Sequence, residues 1–156
     1  MRAILACDER YGIGQGNELP WPHDKEDMKW FRGHTLNEIV VMGRNTWESL
    51  PSKPLEKRIQ VVLTSNPPDK KYESTTFVSN VDVLFSHLKE FQASKKIWVM
   101  GGASIYVQLL PYCTHLYLTR MKGDWNCDTF IPFDYIERFE KVTYRQNQFE
   151  IRERIV

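Results

Sequence analysis

The sequence predicts an α/β fold with a largely parallel β-sheet and an antiparallel hairpin at its C-terminal edge. Between residues 3 and 120, short apolar runs of strand length alternate with segments of helical periodicity, which is the order of repeated βα units. Two more strand-like runs then follow one another with only a short polar connection between them. A mixed sheet is therefore expected, parallel over most of its width.

The individual elements follow from the spacing of apolar residues: a period of two residues indicates a strand, and a period of about 3.6 residues indicates a helix. The expected strands cover residues 3–7, 39–42, 59–63, 76–78, 97–100 and 116–120. The expected helices cover residues 25–35, 45–50, 81–89 and 103–109. The C-terminal strands are expected at 139–144 and 149–154, separated by Arg145-Gln146-Asn147-Gln148, a spacing that suits an antiparallel hairpin.

The chain is expected to form one domain over residues 1–156. This length carries enough apolar residues for a substantial core. Longer loops are expected only at 51–57, 66–74 and 122–134, and the sequence has no internal repeat, low-complexity tract or interdomain linker. Each of these loops can shape a cleft beside the sheet.

Charge and composition exclude several classes of function. With 21 basic and 20 acidic residues interspersed, the formal net charge is +1, which argues against a general nucleic-acid surface. The N-terminal residues lack the pattern of a secretion signal, and no apolar run approaches the roughly 20 residues that span a bilayer. A cytoplasmic location is the default expectation. Cys7, Cys113 and Cys127 share no metal-ligand spacing, so we expect reduced thiols and no metal site.

The acid Asp27 is the first candidate for a binding function. If a helix begins near Asp24, then Asp27, Trp30 and Phe31 stand at i, i+3 and i+4 and share one face. An acid beside aromatic rings on one face suits a flat heterocyclic ligand. The alternative is a capping box, in which Asp24 is the N-cap and Asp27 stabilises the first turn. The residues of the helix alone leave both interpretations open.

Three strand ends carry residues that favour a phosphate. Gly43-Arg44-Asn45-Thr46 follows the second expected strand, where a glycine permits close approach and an arginine can bind phosphate through two N–H groups. Thr64 and Ser65 follow the next strand, and Gly101-Gly102-Ala103-Ser104-Ile105-Tyr106 opens a helix with unpaired amides. The carboxyl ends of parallel strands meet at one edge of a sheet, so these segments together predict a phosphate-bearing ligand. Taken singly, each is more typical of an ordinary turn.

The chain resembles the dihydrofolate reductase family over nearly its whole length. The resemblance rests on segments in the order and approximate spacing of that family: Ile13-Gly14 through Leu19-Pro20-Trp21, Asp27 with Phe31, Met42-Gly43-Arg44-Asn45-Thr46-Trp47-Glu48-Ser49, residues 61–65, Met100-Gly101-Gly102-Ala103-Ser104-Ile105-Tyr106, and Leu116-Tyr117-Leu118-Thr119. It implies an eight-stranded, mostly parallel sheet with an antiparallel C-terminal edge strand, flanked by four helices. It also implies reduction of 7,8-dihydrofolate to 5,6,7,8-tetrahydrofolate with NADPH as hydride donor, in support of one-carbon metabolism, by a monomer.

The resemblance implies a role for individual residues at the substrate. Asp27 would be the key catalytic residue: it would hydrogen-bond the 2-amino group and N3 of the pterin as an electrostatic anchor rather than a direct proton donor to N5, with Trp21 helping to hold an ordered water. The pterin pocket would be lined by the backbones at Leu5 and Ala6, the side chain of Phe31, and Thr119. Arg58 would bind the glutamyl α-carboxylate, and a shift of one residue would give this role to Lys57. Burial is expected to raise the pKa of Asp27.

The implied cofactor site draws on several segments. The nicotinamide and its ribose would lie near Ala6 and the loop that begins at Ile13, and this loop would close over the site as a lid. The pyrophosphate would lie near Arg44 and the glycine turn, and the adenosine 2′-phosphate near Arg44, Thr64 and Ser65. The residues implied to bind NADPH are Ala6, Ile13, Gly14, Asn17, Glu18, Leu19, Gly43, Arg44, Asn45, Thr46, Thr64, Ser65, Gly101, Gly102, Ala103, Ser104, Ile105 and Tyr106.

Two other functions fit part of the same pattern. A different pyridine-nucleotide reductase on this fold, such as the reductase of riboflavin synthesis, would keep the phosphate segments but would not need Asp27, Phe31 and Thr119 together. A binding module derived from the fold would not need to retain Asp27 and Arg44. Both residues are present. The sequence therefore favours the reductase of dihydrofolate.

Overall fold

The computed structural model describes residues 1–16 and 18–155 and contains an eight-stranded sheet flanked by helices on both faces. In chain order the strands are β1 (Arg2–Cys7), β2 (Gly12–Gly14), β3 (Ile39–Gly43), β4 (Ile59–Leu63), β5 (Thr75–Val78), β6 (Ile97–Val99), β7 (His115–Arg120), β8 (Thr129–Phe130), β9 (Lys141–Gln146) and β10 (Phe149–Glu153). The helices are α1 (Lys25–Thr35), α2 (Arg44–Ser49), α3 (Val81–Leu88), α4 (Ala103–Leu109) and α5 (Phe133–Glu137), and a short 3₁₀ helix (Leu110–Tyr112) follows α4.

The main sheet has the strand order β5-β4-β3-β6-β1-β7-β10-β9. The six strands from β5 to β7 are parallel, whereas β10 pairs antiparallel with both β7 and β9. The prediction of a mostly parallel sheet with an antiparallel hairpin at its C-terminal edge is therefore confirmed. This arrangement brings the carboxyl ends of β1, β3, β4, β6 and β7 to the same edge.

Alternate residues of each central strand pack into two separate cores. In β3, Ile39 and Val41 join one core while Val40 and Met42 join the other. The first core contains apolar residues of α3, α4 and α5, and the second contains Trp47 of α2 with Trp30 and Phe31 of α1 packed against it. Both faces of the parallel sheet are thus covered, as the continuous apolar runs predict. Asp27 and Thr119 lie on the face that α1 covers.

The structure differs from the predicted elements at three places. The segment 122–134, expected to be a loop, contains β8 and leads into α5, so a fifth short helix accompanies the four expected ones. β8 pairs with β2 in a second, two-stranded sheet. The last hairpin begins at Lys141 rather than 139 and turns through Asn147 and Gln148 alone, with Asn147 at a φ of 57°. The elements that were not predicted, β2, β8 and α5, have only three, two and five residues, which is too short for apolar periodicity to reveal them.

Within residues 1–16 and 18–155, no helix has the length and apolar character required to cross a membrane.

Candidate active site

The carboxylate of Asp27 faces β7. Asp24 is the N-cap of α1 and accepts hydrogen bonds from the backbone N–H groups of Glu26 and Asp27, at 2.9 and 3.1 Å. The side chain of Asp27 then accepts a 2.7 Å hydrogen bond from the hydroxyl of Thr119. Asp24 therefore caps the helix, as the capping interpretation proposed, while the Asp27 carboxylate is directed at the sheet. The capping role thus belongs to Asp24, and the role in ligand binding is left to Asp27.

Burial raises the pKa of the Asp27 carboxyl, as the sequence predicted. Desolvation is the main cause, and the negative charge of Asp24 adds to it. The hydrogen bond from Thr119 opposes both effects because it stabilises the charged form. Asp27 thus holds a proton more readily than an exposed aspartate does, at a position beside the end of a strand.

Aromatic residues around Asp27 divide between two directions. Phe31 lies under the guanidinium of Arg58, with 5.8 Å between the guanidinium carbon and the ring centroid. The ring of Trp30 instead stacks on Phe149 of β10, with the centroids 4.5 Å apart. The helix phase predicted a shared face for both rings, and the structure assigns Trp30 to packing against the C-terminal hairpin. Of these two rings, Phe31 is therefore the one that contacts Arg58.

Arg58 and Lys57 have different environments. Arg58 is 7% exposed and donates from Nε to the carbonyl of Glu56 at 2.9 Å and from Nη1 to the hydroxyl of Thr35 at 3.3 Å. Burial lowers the pKa of this guanidinium, and the nearby charge of Arg32 lowers it further. Lys57 is exposed and has a φ of 57°. Of the two cations, only Arg58 is built into the fold next to Phe31.

A cleft of about 740 Å³ lies over the carboxyl ends of β3, β4 and β5 and beside α4. It brings together predicted cofactor residues from three separate segments, namely Gly43, Arg44, Asn45, Thr64, Ser65, Gly102, Ala103, Ser104 and Ile105. The described lining does not include Ala6, Ile13, Gly14, Glu18, Leu19, Thr46, Gly101 or Tyr106. Asn17 lies outside the described residues. The phosphate segments of the sequence therefore converge, while the predicted nicotinamide residues lie elsewhere.

Several lining residues were missed by the sequence analysis: Leu63, Ser79, Asn80, Val81, Asp82 and Gln108. Ser79 and Asn80 directly follow β5, so the rule that ligands collect at the carboxyl ends of strands would have found them if applied to that strand. Gln108 donates to the carbonyl and hydroxyl oxygens of Ser104, one helical turn earlier. No spacing signal in the sequence indicates Gln108.

Arg44 is the basic residue in the described lining, and Asp82 is the acidic one. The Nε of Arg44 donates a 2.9 Å hydrogen bond to Glu48, and both side chains remain about half exposed. This contact leaves the terminal N–H groups of Arg44 for a ligand. Thr64 accepts from the N–H of Asn66 through its hydroxyl, which keeps the O–H as a donor.

The glycine turn before α4 holds the backbone close to β3. A side chain on Gly43 would put a Cβ only 2.8 Å from Ile105, and Gly43 donates its N–H to the carbonyl of Gly101 at 2.8 Å. Gly101 has a φ of 107°, a conformation that favours glycine. Tyr106 lies beneath this turn and donates its hydroxyl to the carbonyl of Ile4 at 2.8 Å. Tyr106 thus connects α4, which contributes residues to the cleft, to β1, the strand that pairs with β7.

The loop between β2 and α1 is attached to the segment around β8. Gly16 has a φ of 57° and donates its N–H to the carboxylate of Asp128 at 2.9 Å. Gln15 and Glu18 exchange backbone hydrogen bonds, and Leu19 is 63% exposed. Trp21 is buried. Gly14 belongs to β2 rather than to a free loop, so one end of the predicted lid is fixed in a strand while Leu19, after the turn, is exposed.

The parallel strands β1 and β7 place the remaining substrate residues. Ala6 pairs in register with Thr119, next to Asp27, and Leu5 is buried in the core on the other face of the sheet. Ala6, Asp27 and Thr119 are therefore neighbours despite their separation in sequence. Leu5 can contribute its backbone to this edge, as the resemblance implied.

Comparison with known proteins identifies relatives of this arrangement. The family model described as dihydrofolate reductase matches residues 1–155. A dihydrofolate reductase of Buchnera aphidicola (subsp. Acyrthosiphon pisum) is 34% identical over 143 residues, which covers 92% of this chain and 85% of the relative. A dihydrofolate reductase of Neisseria gonorrhoeae is 39% identical over 129 residues, covering 83% of this chain and 76% of the relative.

A solved structure has the same architecture. It is the dihydrofolate reductase from Enterococcus faecalis in complex with NADP(H) and RAB-propyl, with a TM-score of 0.82 and 30% sequence identity. The similarity covers 99% of this chain and 96% of that chain.

Proposed function

The chain belongs to the dihydrofolate reductase family, and we infer that it is an oxidoreductase that reduces 7,8-dihydrofolate to 5,6,7,8-tetrahydrofolate with NADPH. The family model covers nearly the whole chain, and the similar structure was solved with NADP(H). The single structural observation that supports this function is the part-buried hydrogen bond from Thr119 to Asp27, at the carboxyl end of a strand of the sheet.

The residues of the cleft fit a dinucleotide phosphate. Gly43 has no space for a side chain because a Cβ there would clash with Ile105, so the end of β3 lies close against α4. Arg44, Thr64 and Ser65 supply a cation and two hydroxyls to the cleft. We propose that these three side chains hold the adenosine 2′-phosphate and that Asn45, Thr46 and the turn from Gly101 to Ser104 hold the pyrophosphate. When bound, NADPH supplies the hydride that the pterin accepts at C6.

The nicotinamide end of NADPH is proposed to reach the carboxyl end of β1. Ala6 stands there beside Thr119, and Tyr106 extends from α4 to the carbonyl of Ile4. Ile13 and the loop residues Gly14, Glu18 and Leu19 are proposed to contact the nicotinamide and its ribose, whereas Ile105 is proposed to lie near the pyrophosphate with the glycine turn. Closure of this loop would remove water from the reacting atoms, with Trp21 at its base.

Asp27 is proposed to hold the pterin by its 2-amino group and N3. A carboxylate accepts two such hydrogen bonds, and Thr119 fixes its orientation from β7. The raised pKa of Asp27 favours proton uptake near the ring, and the proton from solvent passes to N5 while C6 receives the hydride. Asp27 acts as an electrostatic anchor that promotes this protonation through a water, rather than as the direct donor to N5.

Arg58 is proposed to bind the glutamyl α-carboxylate. Its burial beside Phe31 fixes the planar guanidinium, which suits a carboxylate better than a flexible lysine does. Phe31 would pack on the ring system of the substrate, between Asp27 and Arg58.

Four further properties stay predictions: a monomeric state, a cytoplasmic location, the absence of a nucleic-acid partner and a single domain over residues 1–156.

The test is NADPH absorbance after addition of 7,8-dihydrofolate, for wild type and Asp27→Asn at several pH values. We expect NADPH oxidation, slower oxidation of NADH, and a loss of about 100-fold or more in kcat/KM for Asp27→Asn near neutral pH, partly recovered at low pH. Glu26→Gln, at an exposed acid on the same helix, is the control and should stay near wild type. Tight NADPH binding without turnover in wild type would contradict the assigned substrate.

A further inference from the structure

Asp24 connects the catalytic helix to the C-terminal hairpin. Its Oδ1 accepts the N–H groups of Glu26 and Asp27, and its Oδ2 accepts a 3.3 Å hydrogen bond from the side-chain amide of Gln148. Gln148 lies in the turn between β9 and β10, and its carbonyl accepts the N–H of Arg120 at 2.8 Å. Arg120 follows Thr119 directly. The Asp24 carboxylate therefore binds the backbone of Asp27 directly. Through Gln148 it is also linked to β7, the strand whose Thr119 donates a hydrogen bond to the Asp27 side chain.

The charge of Asp24 also acts on the Asp27 carboxyl. Among the described groups, Asp24 raises the pKa of Asp27 by repulsion, after the larger effect of burial. From β7, Thr119 lowers it by donating a hydrogen bond. From α4, Tyr106 is coupled to the same carboxyl, but burial raises the pKa of its phenol, which stays neutral. On α1 itself, Lys25 and Glu26 are exposed and of opposite charge.

We propose that Asp24 is a positioning residue for proton uptake in the active site: its carboxylate, bound to the N–H of Asp27 and to the amide of Gln148, orients the turn that carries Asp27 and places a second acid next to it. Gln148 holds Asp24 in this position. The inference rests on the proposed reduction of dihydrofolate and adds to it a second acid that does not touch the substrate. A serine at this position would still cap the helix but would carry no charge.

The decisive variant is therefore Asp24→Ser, measured by the single-turnover rate of hydride transfer against pH. Loss of the negative charge should move the midpoint of this profile to lower pH and reduce the rate near neutral pH by about threefold. Glu26→Gln removes an exposed charge two residues away and should shift the midpoint less. Gln148→Ala should give a midpoint between wild type and Asp24→Ser, because the orienting contact is lost while the charge remains.

A rate that falls equally at all pH values in Asp24→Ser, with an unchanged midpoint, would overturn the proposal and leave Asp24 a helix cap only. The same is true of a shift no larger than that of Glu26→Gln. Asp24→Ala loses the helix cap as well as the charge. If its midpoint equals that of Asp24→Ser, the shift is caused by the lost charge and not by fraying of α1.

A second readout does not depend on dihydrofolate. The ¹³C resonance of the Asp27 carboxyl, titrated without ligand in wild type and Asp24→Ser, should have its midpoint at lower pH in the variant. If wild type does not turn over dihydrofolate but this midpoint shifts, the assigned reaction fails while the coupling of the two acids stands. An unchanged ¹³C midpoint overturns the coupling, whatever the substrate.

Discussion

Arg58 and Lys57 are neighbours in sequence, and at the residue scale their burial decides which one can bind a carboxylate. Arg58→Gln should raise the KM for dihydrofolate by about 10- to 100-fold with a smaller change in kcat, because a charge-assisted contact worth about 1.5–3 kcal/mol is lost. Steady-state kinetics in dihydrofolate and in NADPH measure this, and the KM for NADPH should not change. Lys57→Gln is the matched control and should resemble wild type, since its side chain is exposed.

A substrate without the glutamyl group sharpens this test. Reduction of 6-methyl-7,8-dihydropterin, which has neither the glutamyl group nor the benzoate carboxylate, should be equally efficient in wild type and Arg58→Gln, because no carboxylate is present for Arg58 to bind. A KM that rises for Lys57→Gln instead would reverse the assignment. Urea unfolding of both variants shows whether loss of the contact with Thr35 has destabilised the fold.

The same scale shows what a sequence can reveal about a site. Asp27 could be identified because the helix phase places it inward, and Arg44 because it follows a glycine at a strand end. The donor to Asp27 is 92 positions away, and its contact depends on the parallel register that aligns Thr119 with Ala6. Helix spacing carries no information on such a register. For the same reason it could not show that Trp30 packs against Phe149.

At the scale of elements, α1 carries a histidine whose protonation opposes folding. The ring of His34 packs against Trp30 and Tyr117, with centroid distances of 4.4 and 4.8 Å. Burial lowers the pKa of His34 below its usual 6.5, and the charges of Lys96 and Arg2 lower it further. The folded state therefore binds fewer protons than the unfolded state just below pH 6.5.

It follows that His34 contributes most to stability above that pH and loses its contribution as the pH falls toward the folded pKa. His34→Gln should be less stable than wild type by about 0.5–1.5 kcal/mol above pH 7, because the ring contacts are lost. This difference should shrink as the pH falls below 6.5, toward the lowered pKa of the folded state. Urea unfolding at several pH values measures it, and His23→Gln, at an exposed position before α1, is the control. A difference that grows on acidification would contradict the assignment.

The long elements could be predicted and the short ones could not, for a physical reason. α1 and β4 match their predicted bounds because each presents several apolar residues at one period. β2 and β8 have three and two residues, and they exist because they pair with each other across 115 or more positions of chain. Such pairing stabilises the lid segment through Gly16 and Asp128 as well. It is a property of the assembled fold rather than of either segment.

For the whole molecule, the active site exists only because several strands end at one edge. The cleft joins residues from β3, β4 and β5 with α4, and Tyr106 connects it to β1, which pairs with the strand of Thr119. The rule that ligands lie at the carboxyl ends of parallel strands predicted this edge from sequence. The rule did not predict that the cleft also reaches Ser79 and Gln108, because this depends on how β5 and α4 are placed in the fold.

Because the cleft spans several elements, a bound cofactor should stabilise the molecule as a whole. NADPH at about 100 times its Kd adds about 2.7 kcal/mol to the free energy of unfolding, which for this size raises Tm by about 5–10 °C. Arg44→Gln should weaken NADPH binding by about tenfold and so remove about half of this gain at the same concentration. The gain from NADH should be nearly unchanged, since Arg44 is proposed to meet the 2′-phosphate that NADH lacks.

Arg138→Gln is the control for this measurement. Arg138 pairs with Asp134 at i, i+4 as Arg44 pairs with Glu48, and both arginine side chains are 51% exposed, so either substitution removes a similar surface ion pair. The two variants should thus have similar Tm values without ligand and differ only when NADPH is added. If Arg44→Gln lost the same stabilisation with NADH as with NADPH, Arg44 would bind the shared pyrophosphate, and discrimination would depend on Thr64 and Ser65.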